Sequence, residues 1–102
     1  MVFVCTAVKD YFSNFWLTAI LIDPELTGGI TKDDIRLKLD SENIESRPLW
    51  KPMHQQPIFK DVPSYINGVS DDLFERGLCL PSGSNLSQNQ LNKIISIIKS
   101  YF

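Results

Sequence analysis

Residues 44–59, IESRPLWKPMHQQPIF, contain three of the chain's six prolines, one of its two tryptophans and its only histidine. Pro48, Pro52 and Pro57 each fix φ, remove a backbone donor and favour extended geometry in the preceding residue. Because proline is also poorly tolerated inside a central strand, this stretch is predicted to begin as a strand and to continue as an ordered, extended loop. We call residues 44–59 the proline loop.

Several side chains of the proline loop suit a flat, negatively charged ligand; they are those of Arg47, Trp50, Lys51 and His54. A guanidinium and an ammonium attract phosphate, and an indole face accepts a flat or cationic group. Arg47 would bind a diphosphate bidentately, whereas Lys51 would act as a point charge. The chemistry of the loop therefore predicts a nucleotide diphosphate as a ligand.

The same loop has a purely structural interpretation, as a packed connector in which Trp50 is buried. Arg47 would then pair with a nearby carboxylate, and those within reach in the sequence are Asp40, Glu42 and Glu45. Exposure separates the two interpretations, because side chains that contact a ligand should be accessible on one side of the loop. The hydrophobic positions expected in the core under both interpretations are Ile44, Leu49 and Phe59.

Two further segments, NFWLT at residues 14–18 and GLCLPSG at residues 77–83, accompany the proline loop. In this order the three segments resemble the sugar aminotransferases of the DegT/DnrJ/EryC1/StrS family. These are pyridoxal-phosphate enzymes of aminotransferase fold type I, which aminate keto groups on nucleotide-linked sugars. The similarity is closest to the branch that makes 4-amino UDP-sugars for bacterial glycans, and it runs from about Asn14 to the C terminus.

The resemblance covers the family's small C-terminal region and implies a function for the complete enzyme. That enzyme would transfer an amino group, with glutamate as donor, to a 4-keto UDP-sugar. A large domain upstream would bind pyridoxal phosphate through the Schiff-base lysine. The residues that the resemblance implies on the sugar-nucleotide side are Arg47, Trp50, Lys51, Met53 and His54. The chain alone is expected to bind no cofactor and to be inactive, and the family implies a homodimer.

A second function remains open, that of a stand-alone, non-catalytic binding or dimerisation module from a truncated gene. Residues 1–12 would be an N-terminal remnant or arm, and residues 13–102 the small domain. Apolar surface left without the large domain would then drive self-association, with residues 1–8 contributing to it. A reading frame upstream that encodes a large domain would favour the enzyme, and a stop codon would favour the module.

The predicted elements alternate along the chain. Aromatic and β-branched runs predict strands at residues 14–22, 44–49 and 78–80, and the first of these is apolar enough to be central. Helices are predicted between the strands and after the last one. Such alternation favours an α/β fold (α+β, two-layer), with about three strands packed against about three helices. The resemblance adds that the sheet is antiparallel or mixed, as in the small domain of fold type I aminotransferases.

Capping signals define the predicted helix starts, and the three N-caps are Thr31, Ser70 and Ser87. Two acidic residues follow Thr31 in the first turn, where they favour the positive end of the helix dipole, and that helix should reach about Ser41. Ser87 and Gln90 form a capping box. Gly77 is predicted to end the middle helix in the left-handed conformation.

Helical spacing and apolar character also predict the core. Ile35 and Leu39 should face the interior from the first helix. The core positions predicted on the last helix are Leu91, Ile94, Ile95, Ile98 and Phe102. Phe15 and Trp16 are expected in the core as well, because they begin a strongly apolar run.

Composition excludes several other functions. A chain of 102 residues with a formal charge of −2 is one domain without a general attraction to nucleic acid or anionic lipid. No apolar run approaches the ~18 residues of a membrane span. Residues 1–8 lack the basic region of a signal peptide, so a cytoplasmic location is expected.

The cysteines and the histidine predict neither a disulfide nor a metal site. Cys5 and Cys79 lie far apart in apolar runs, as buried free thiols do in a reducing compartment. His54 has no Cys, Asp or Glu at ligand spacing, so a metal is not expected.

Overall fold

A computed structural model describes residues 9–102 of the chain. In chain order the elements are β1 (Thr18–Leu21), α1 (Lys32–Ser41), β2 (Arg47–Pro48), α2 (Val69–Arg76), β3 (Gly77–Leu80) and α3 (Gln88–Lys99). Two short 3-10 turns, Met53–Gln55 and Pro57–Phe59, lie between β2 and α2. The predictions for residues 1–8, including those for Cys5 and for their part in self-association, fall outside the described residues.

The three strands form one antiparallel sheet in the order β1-β3-β2. The predicted fold class is therefore confirmed. The central strand, however, is β3, whereas the apolar run that contains β1 was expected there. A strand is central when it pairs with a strand on each side, and these partners can be distant in sequence. The apolarity of one segment does not reveal such pairing.

One face of the sheet packs against α1 and α3, and its buried core consists of Ile20, Ile22, Ile35, Leu39, Leu78 and Ile94. Directly opposed residues of antiparallel strands lie on the same face. Cys79 is opposite Ala19 on one side and Arg47 on the other. Since successive residues of a strand alternate between faces, Ala19, Cys79 and Arg47 belong to the face away from the Ile20–Leu78 core.

Helix α1 begins and ends where its sequence signals predict. The hydroxyl of Thr31 accepts a hydrogen bond from the Asp34 amide, and the Asp34 carboxylate accepts one from the Thr31 amide at 2.8 Å. This capping box satisfies donors that the first helical turn leaves free. The amide of Thr31, and after it the hydroxyl, donate hydrogen bonds to the Asp34 carboxylate and so lower the pKa of Asp34. Ile35 and Leu39 are fully buried, as predicted.

Helix α3 has the predicted capping box between Ser87 and Gln90, but its buried face is rotated from the predicted one. Ile94 is buried, and the side chains that pack beside it are Ile97, Ile98 and Tyr101. The prediction was wrong for three positions that lie exposed: Leu91, Ile95 and Phe102. The helix carries two adjoining apolar stripes, and sequence spacing alone does not decide which one the sheet covers.

Helix α2 ends at Arg76, as predicted, but its N-cap and the conformation of the glycine that follows it differ from the prediction. Its N-cap is Gly68, with a φ of 84°, rather than Ser70, which lies inside the helix. Asn67 accepts a hydrogen bond from the first helical amide, that of Val69, at 3.2 Å. Gly77 is extended, with φ −89° and ψ 138°, so the left-handed prediction was wrong. The backbone passes directly from α2 into β3.

Close packing explains the glycine at position 77. A Cβ atom there would lie 2.1 Å from Leu49 Cδ1 and 2.4 Å from the Leu73 carbonyl oxygen. Both distances are far inside van der Waals contact, so any larger residue would displace its neighbours. Gly77 is thus required by close approach of the proline loop.

The strands at the sheet edges are shorter than predicted. Residues 14–17 are not part of β1, since Phe15 has a φ of 52°, which interrupts an extended chain. The side chains of Ser13 and Asn14 accept hydrogen bonds from the amides of Phe15 and Trp16, and these local bonds stabilise the turn. Phe15 and Trp16 are 77% and 68% exposed, so the prediction that they lie in the core was wrong.

Candidate ligand-binding groove

An open groove of about 490 Å³ lies between the proline loop and the sheet face that carries Cys79. Its lining residues are Leu17, Glu45, Ser46, Arg47, Pro48, Trp50, Cys79, Leu80 and Pro81. The pairing of β2 with β3 positions this groove, because it sets Arg47 directly opposite Cys79. The groove has mostly apolar walls with a charged pair at one side.

Trp50 forms the aromatic wall of the groove. Its ring centroid lies 6.0 Å from that of Trp16, at an interplanar angle of 43°. This separation is within the range of favourable aromatic pairs. Trp50 is 66% exposed, so it is not the buried anchor that a packed connector would require. Its indole remains accessible to a flat ligand.

Arg47 makes the ion pair that the structural interpretation expects, with Glu45. Arg47 Nη2 and Nε lie 2.6 and 2.8 Å from Glu45 Oε1. Both side chains are about three-quarters exposed, and exposed ion pairs contribute only ~0–1 kcal/mol. An anionic ligand can therefore compete with Glu45 for the guanidinium.

The remaining candidates of the proline loop lie outside the groove. Lys51 is exposed beyond its edge. Met53 and His54 line a separate cavity of about 270 Å³, together with Phe59 and Val62. The structure thus brings Arg47 and Trp50 together and places the other three candidates apart from them.

The proline loop folds back more than an extended chain would. The amide of Gln55 donates to the Pro52 carbonyl at 3.0 Å, and that of Phe59 donates to the Gln56 carbonyl at 2.9 Å. The prediction of an extended loop was wrong at these two 3-10 turns, because the φ of proline also suits a first helical position. Pro52 is buried, whereas the positions expected in the core are only half-buried: Ile44, Leu49 and Phe59.

Sequence reasoning missed the part of the groove that comes from elsewhere in the chain. Leu17, Cys79 and Pro81 reach the groove through strand pairing over some sixty residues of sequence. The GLCLPSG segment was a signal for two of them, although their position beside Arg47 depends on the strand register. Burial raises the pKa of the Cys79 thiol, which favours a structural role for it.

Residues 9–102 lack two other kinds of site. That part of the chain holds no group of three His, Cys, Asp or Glu side chains able to bind a metal ion. It also contains no helix of the length and apolarity needed to cross a membrane.

Known proteins resemble this chain in sequence and in fold. A putative pyridoxal phosphate-dependent aminotransferase, EpsN of Bacillus subtilis, is 43% identical over 94 residues, which are 88% of this chain and 23% of the relative. GDP-perosamine synthase of Vibrio cholerae is 33% identical over 92 residues, 89% of this chain and 24% of the relative. A DegT DnrJ EryC1 StrS aminotransferase from Brucella abortus superposes with a TM-score of 0.77 at 27% identity, covering 98% of this chain and 26% of that one.

The chain spans about a quarter of the length of the curated relatives it matches. Residues 2–99 match the DegT/DnrJ/EryC1/StrS aminotransferase family, so the similarity begins twelve residues earlier than the NFWLT segment. Sequence match, relatives and fold agree, and the chain belongs to the DegT/DnrJ/EryC1/StrS aminotransferase family.

Proposed function

We propose that this chain serves as the small C-terminal domain of a pyridoxal-phosphate-dependent aminotransferase that acts on a 4-keto nucleotide sugar. The observation that carries the proposal is the groove in which the exposed Arg47 guanidinium and the accessible Trp50 indole lie side by side. A relative that is 33% identical is named for the synthesis of GDP-perosamine, which supports a nucleotide sugar as substrate. We place the activity in the cytoplasm, where a free thiol such as that of Cys79 stays reduced.

Each groove residue has a defined part in this proposal. Arg47 leaves Glu45 and binds the diphosphate through two parallel N–H···O bonds. Trp50, supported by Trp16, offers a face to the flat part of the ligand. Lys51, exposed beside the groove, adds positive charge. A direct contact by Met53 or His54 stays a prediction, since both line the other cavity.

The residues described here do not fit the pyridoxal phosphate that the family implies. A Schiff base needs an accessible lysine beside the substrate, and among residues 9–102 no lysine lines the groove. Lys32 is buried against Phe74, and Lys38 and Lys93 pair with Glu42. We therefore propose that the cofactor belongs to the remaining part of the family fold, and that this chain alone neither binds it nor catalyses amino transfer.

A chimera tests the proposal most directly. This chain would replace the matching region of the Bacillus subtilis relative, and amino transfer from glutamate would be measured with UDP-, GDP- and TDP-linked 4-keto sugars. We expect activity with at least one of the three. Arg47→Ala should raise KM by about tenfold while leaving kcat within about twofold, because a ground-state phosphate contact is lost.

The matched control is Arg36→Ala, since Arg36 pairs with an acidic neighbour on α1 but lies away from the groove. An active chimera whose KM changes with neither Arg47→Ala nor Trp50→Ala would contradict the assignment of the groove as the substrate site. An active chimera that aminates only free sugars would contradict the nucleotide part of the proposal.

A dimerisation module is the second candidate, and the exposed apolar surface favours it. Among the described residues, the large hydrophobic side chains with the greatest exposure are those of Tyr11, Phe12, Phe15, Ile58 and Tyr65. Phe12 and Phe15 are in contact, and contiguous apolar surface is commonly an interaction site. Under this candidate the chain would self-associate as a homodimer and bind no sugar nucleotide.

A further inference from the structure

Helix α2 and the proline loop are in contact, but they bury little apolar surface. All eight residues of α2 are described by the structure, and none of them is buried. Pro52 is the only buried residue of the proline loop, which is likewise fully described. Apolar burial, the usual source of cohesion between elements, is therefore weak here, and polar contacts decide how the loop sits on the helix.

The principal polar contact joins His54 of the loop to Asp71 of α2. His54 Nε2 lies 2.7 Å from Asp71 Oδ1, and the two side chains are only 19% and 33% exposed. The side-chain amide of Gln55 donates to the same carboxylate oxygen. The hydrogen bond from Gln55, and after it that from His54, lower the pKa of Asp71, so the acceptor remains a carboxylate.

Asp71 lies on a helix whose other end is bonded to the rest of the domain, and these bonds restrain the position of Asp71. Lys32 of α1 donates a hydrogen bond to the Phe74 carbonyl, and its ammonium lies 4.5 Å from the centre of the Phe74 ring. Arg76 bridges to Asp23, which follows β1, at 3.3 Å. A contact with Asp71 thus fixes the loop relative to the core.

The restraint at His54 reaches Trp50 through a short, internally bonded segment. The amides of Gln55 and Gln56 donate to the carbonyls of Pro52 and Met53 at 3.0 and 3.1 Å. The side chain of Gln56 also donates to the Lys51 carbonyl at 3.2 Å. Trp50, the next residue back along the chain, is the aromatic wall of the groove.

We infer that His54, Gln55 and Asp71 form a latch that positions Trp50 against Trp16, with His54 acting as a positioning residue. The latch deepens the proposed function, on which its role for the substrate rests. It is nevertheless a property of the chain without ligand, so its own test needs neither substrate nor cofactor.

The test uses the full chain carrying Trp16→Phe, which leaves Trp50 as the only tryptophan. In this background Asp71→Ala removes both hydrogen bonds of the latch, and His54→Leu removes the one from His54. We expect hydrogen exchange at the Gln55 and Gln56 amides to accelerate by about tenfold, as local opening becomes easier. The acrylamide quenching constant of Trp50 should change at the same time.

Three comparisons separate the latch from a general loss of stability. Asp72→Ala removes the neighbouring first-turn acid, which bonds to Arg76 and not to the loop, and should leave both readouts unchanged. His54→Gln keeps an N–H donor near the position of Nε2 and should restore most of the protection. The double variant His54→Leu with Asp71→Ala should exchange no faster than Asp71→Ala alone, because that change already removes the acceptor of both hydrogen bonds.

Equal exchange rates in the Asp71→Ala and Asp72→Ala chains would overturn the latch. So would faster exchange in His54→Leu with unchanged quenching of Trp50, because the loop would then open without moving the groove wall. Failure of the proposed function would be seen only in the chimera, in its response to Arg47→Ala, and is thereby distinguished from failure of the latch.

Discussion

The ammonium of Lys32 lies 4.5 Å from the centre of the Phe74 ring and donates a hydrogen bond to the Phe74 carbonyl oxygen. Lys32 is the first residue of α1, yet it is almost completely buried. The contact satisfies a carbonyl in the last turn of α2, where cations are favourable to the helix dipole. Through this one side chain, α1 holds a helix that has no buried residue of its own.

Replacing Lys32 with alanine should lower the free energy of unfolding by about 1–3 kcal/mol, because a charged hydrogen bond and a cation-π contact are lost together. Urea unfolding followed by circular dichroism measures the change. Lys38→Ala is the control, since Lys38 is exposed and pairs with Glu42 on the surface. Equal losses in the two chains would show that the Phe74 contact does not stabilise the fold.

Trp50→Ala should lower the free energy of unfolding by less than about 1 kcal/mol, because the indole is mostly exposed and loses chiefly its pair with Trp16. Leu39→Ala, at a fully buried position, should lower the free energy of unfolding by about 2–5 kcal/mol. It provides the reference value for truncation of a core side chain. A loss at Trp50 as large as that at Leu39 would return the proline loop to its interpretation as a packed connector.

The capping carboxylate of Asp34 should make a pH-dependent contribution to stability. Its pKa is lower in the folded chain than the ordinary value of 3.8, so its contribution is present above that value and is lost as the pH falls through the folded pKa. Asp34→Ala should therefore destabilise the chain more near neutral pH than at about pH 2. Unfolding curves at both pH values provide the measurement.

Asp40→Ala serves as the control for this pH effect, because Asp40 is exposed on the same helix but outside the cap. An Asp34→Ala deficit that is the same at both pH values would mean that the carboxylate charge does not contribute to the cap.

The chain should self-associate at high concentration, because large aromatic residues are exposed together. Phe12 and Phe15 meet edge to face at a centroid distance of 6.1 Å and are both mostly accessible. Light scattering should show species larger than a monomer, and changing both residues to serine should reduce their proportion. Lys60→Ser, at another exposed position, should not. A monomer at every concentration would exclude the dimerisation module.

Titration with pyridoxal phosphate should give no saturable aldimine absorbance in the isolated chain, because no lysine among the described residues faces the groove. Ultraviolet-visible spectra before and after borohydride reduction, followed by peptide mapping, check this expectation. A stoichiometric adduct on one lysine would show that the chain contains a cofactor site of its own.

Local signals in the sequence predicted the parts of the fold that local contacts determine. The caps at Thr31 and Ser87 depend on residues three positions apart, and both helices begin there. The central position of β3 depends on strand pairing across the chain, and it was not predicted. Intrinsic preferences are overridden by such tertiary contacts.

The candidate site also has one part that the sequence predicted and another that it did not. The composition of the proline loop identified Arg47 and Trp50 as candidates, and the structure places both in one groove. The opposite wall required the register that sets Cys79 against Arg47, which no local pattern contains. His54 was singled out for its chemistry, but its partner Asp71 lies seventeen residues further along the chain.

Gly77 has no reactive atom, yet the packing around it predicts unusual sensitivity to mutation. The Leu49 side chain occupies the space that a Cβ would need, and the Leu49 amide donates to the Gly77 carbonyl at 3.4 Å. Even alanine would force Leu49 and the proline loop away from the central strand. In a saturation mutagenesis screen this position would therefore score like a catalytic residue, and sequences that diverge in the substrate they accept would still share a glycine here.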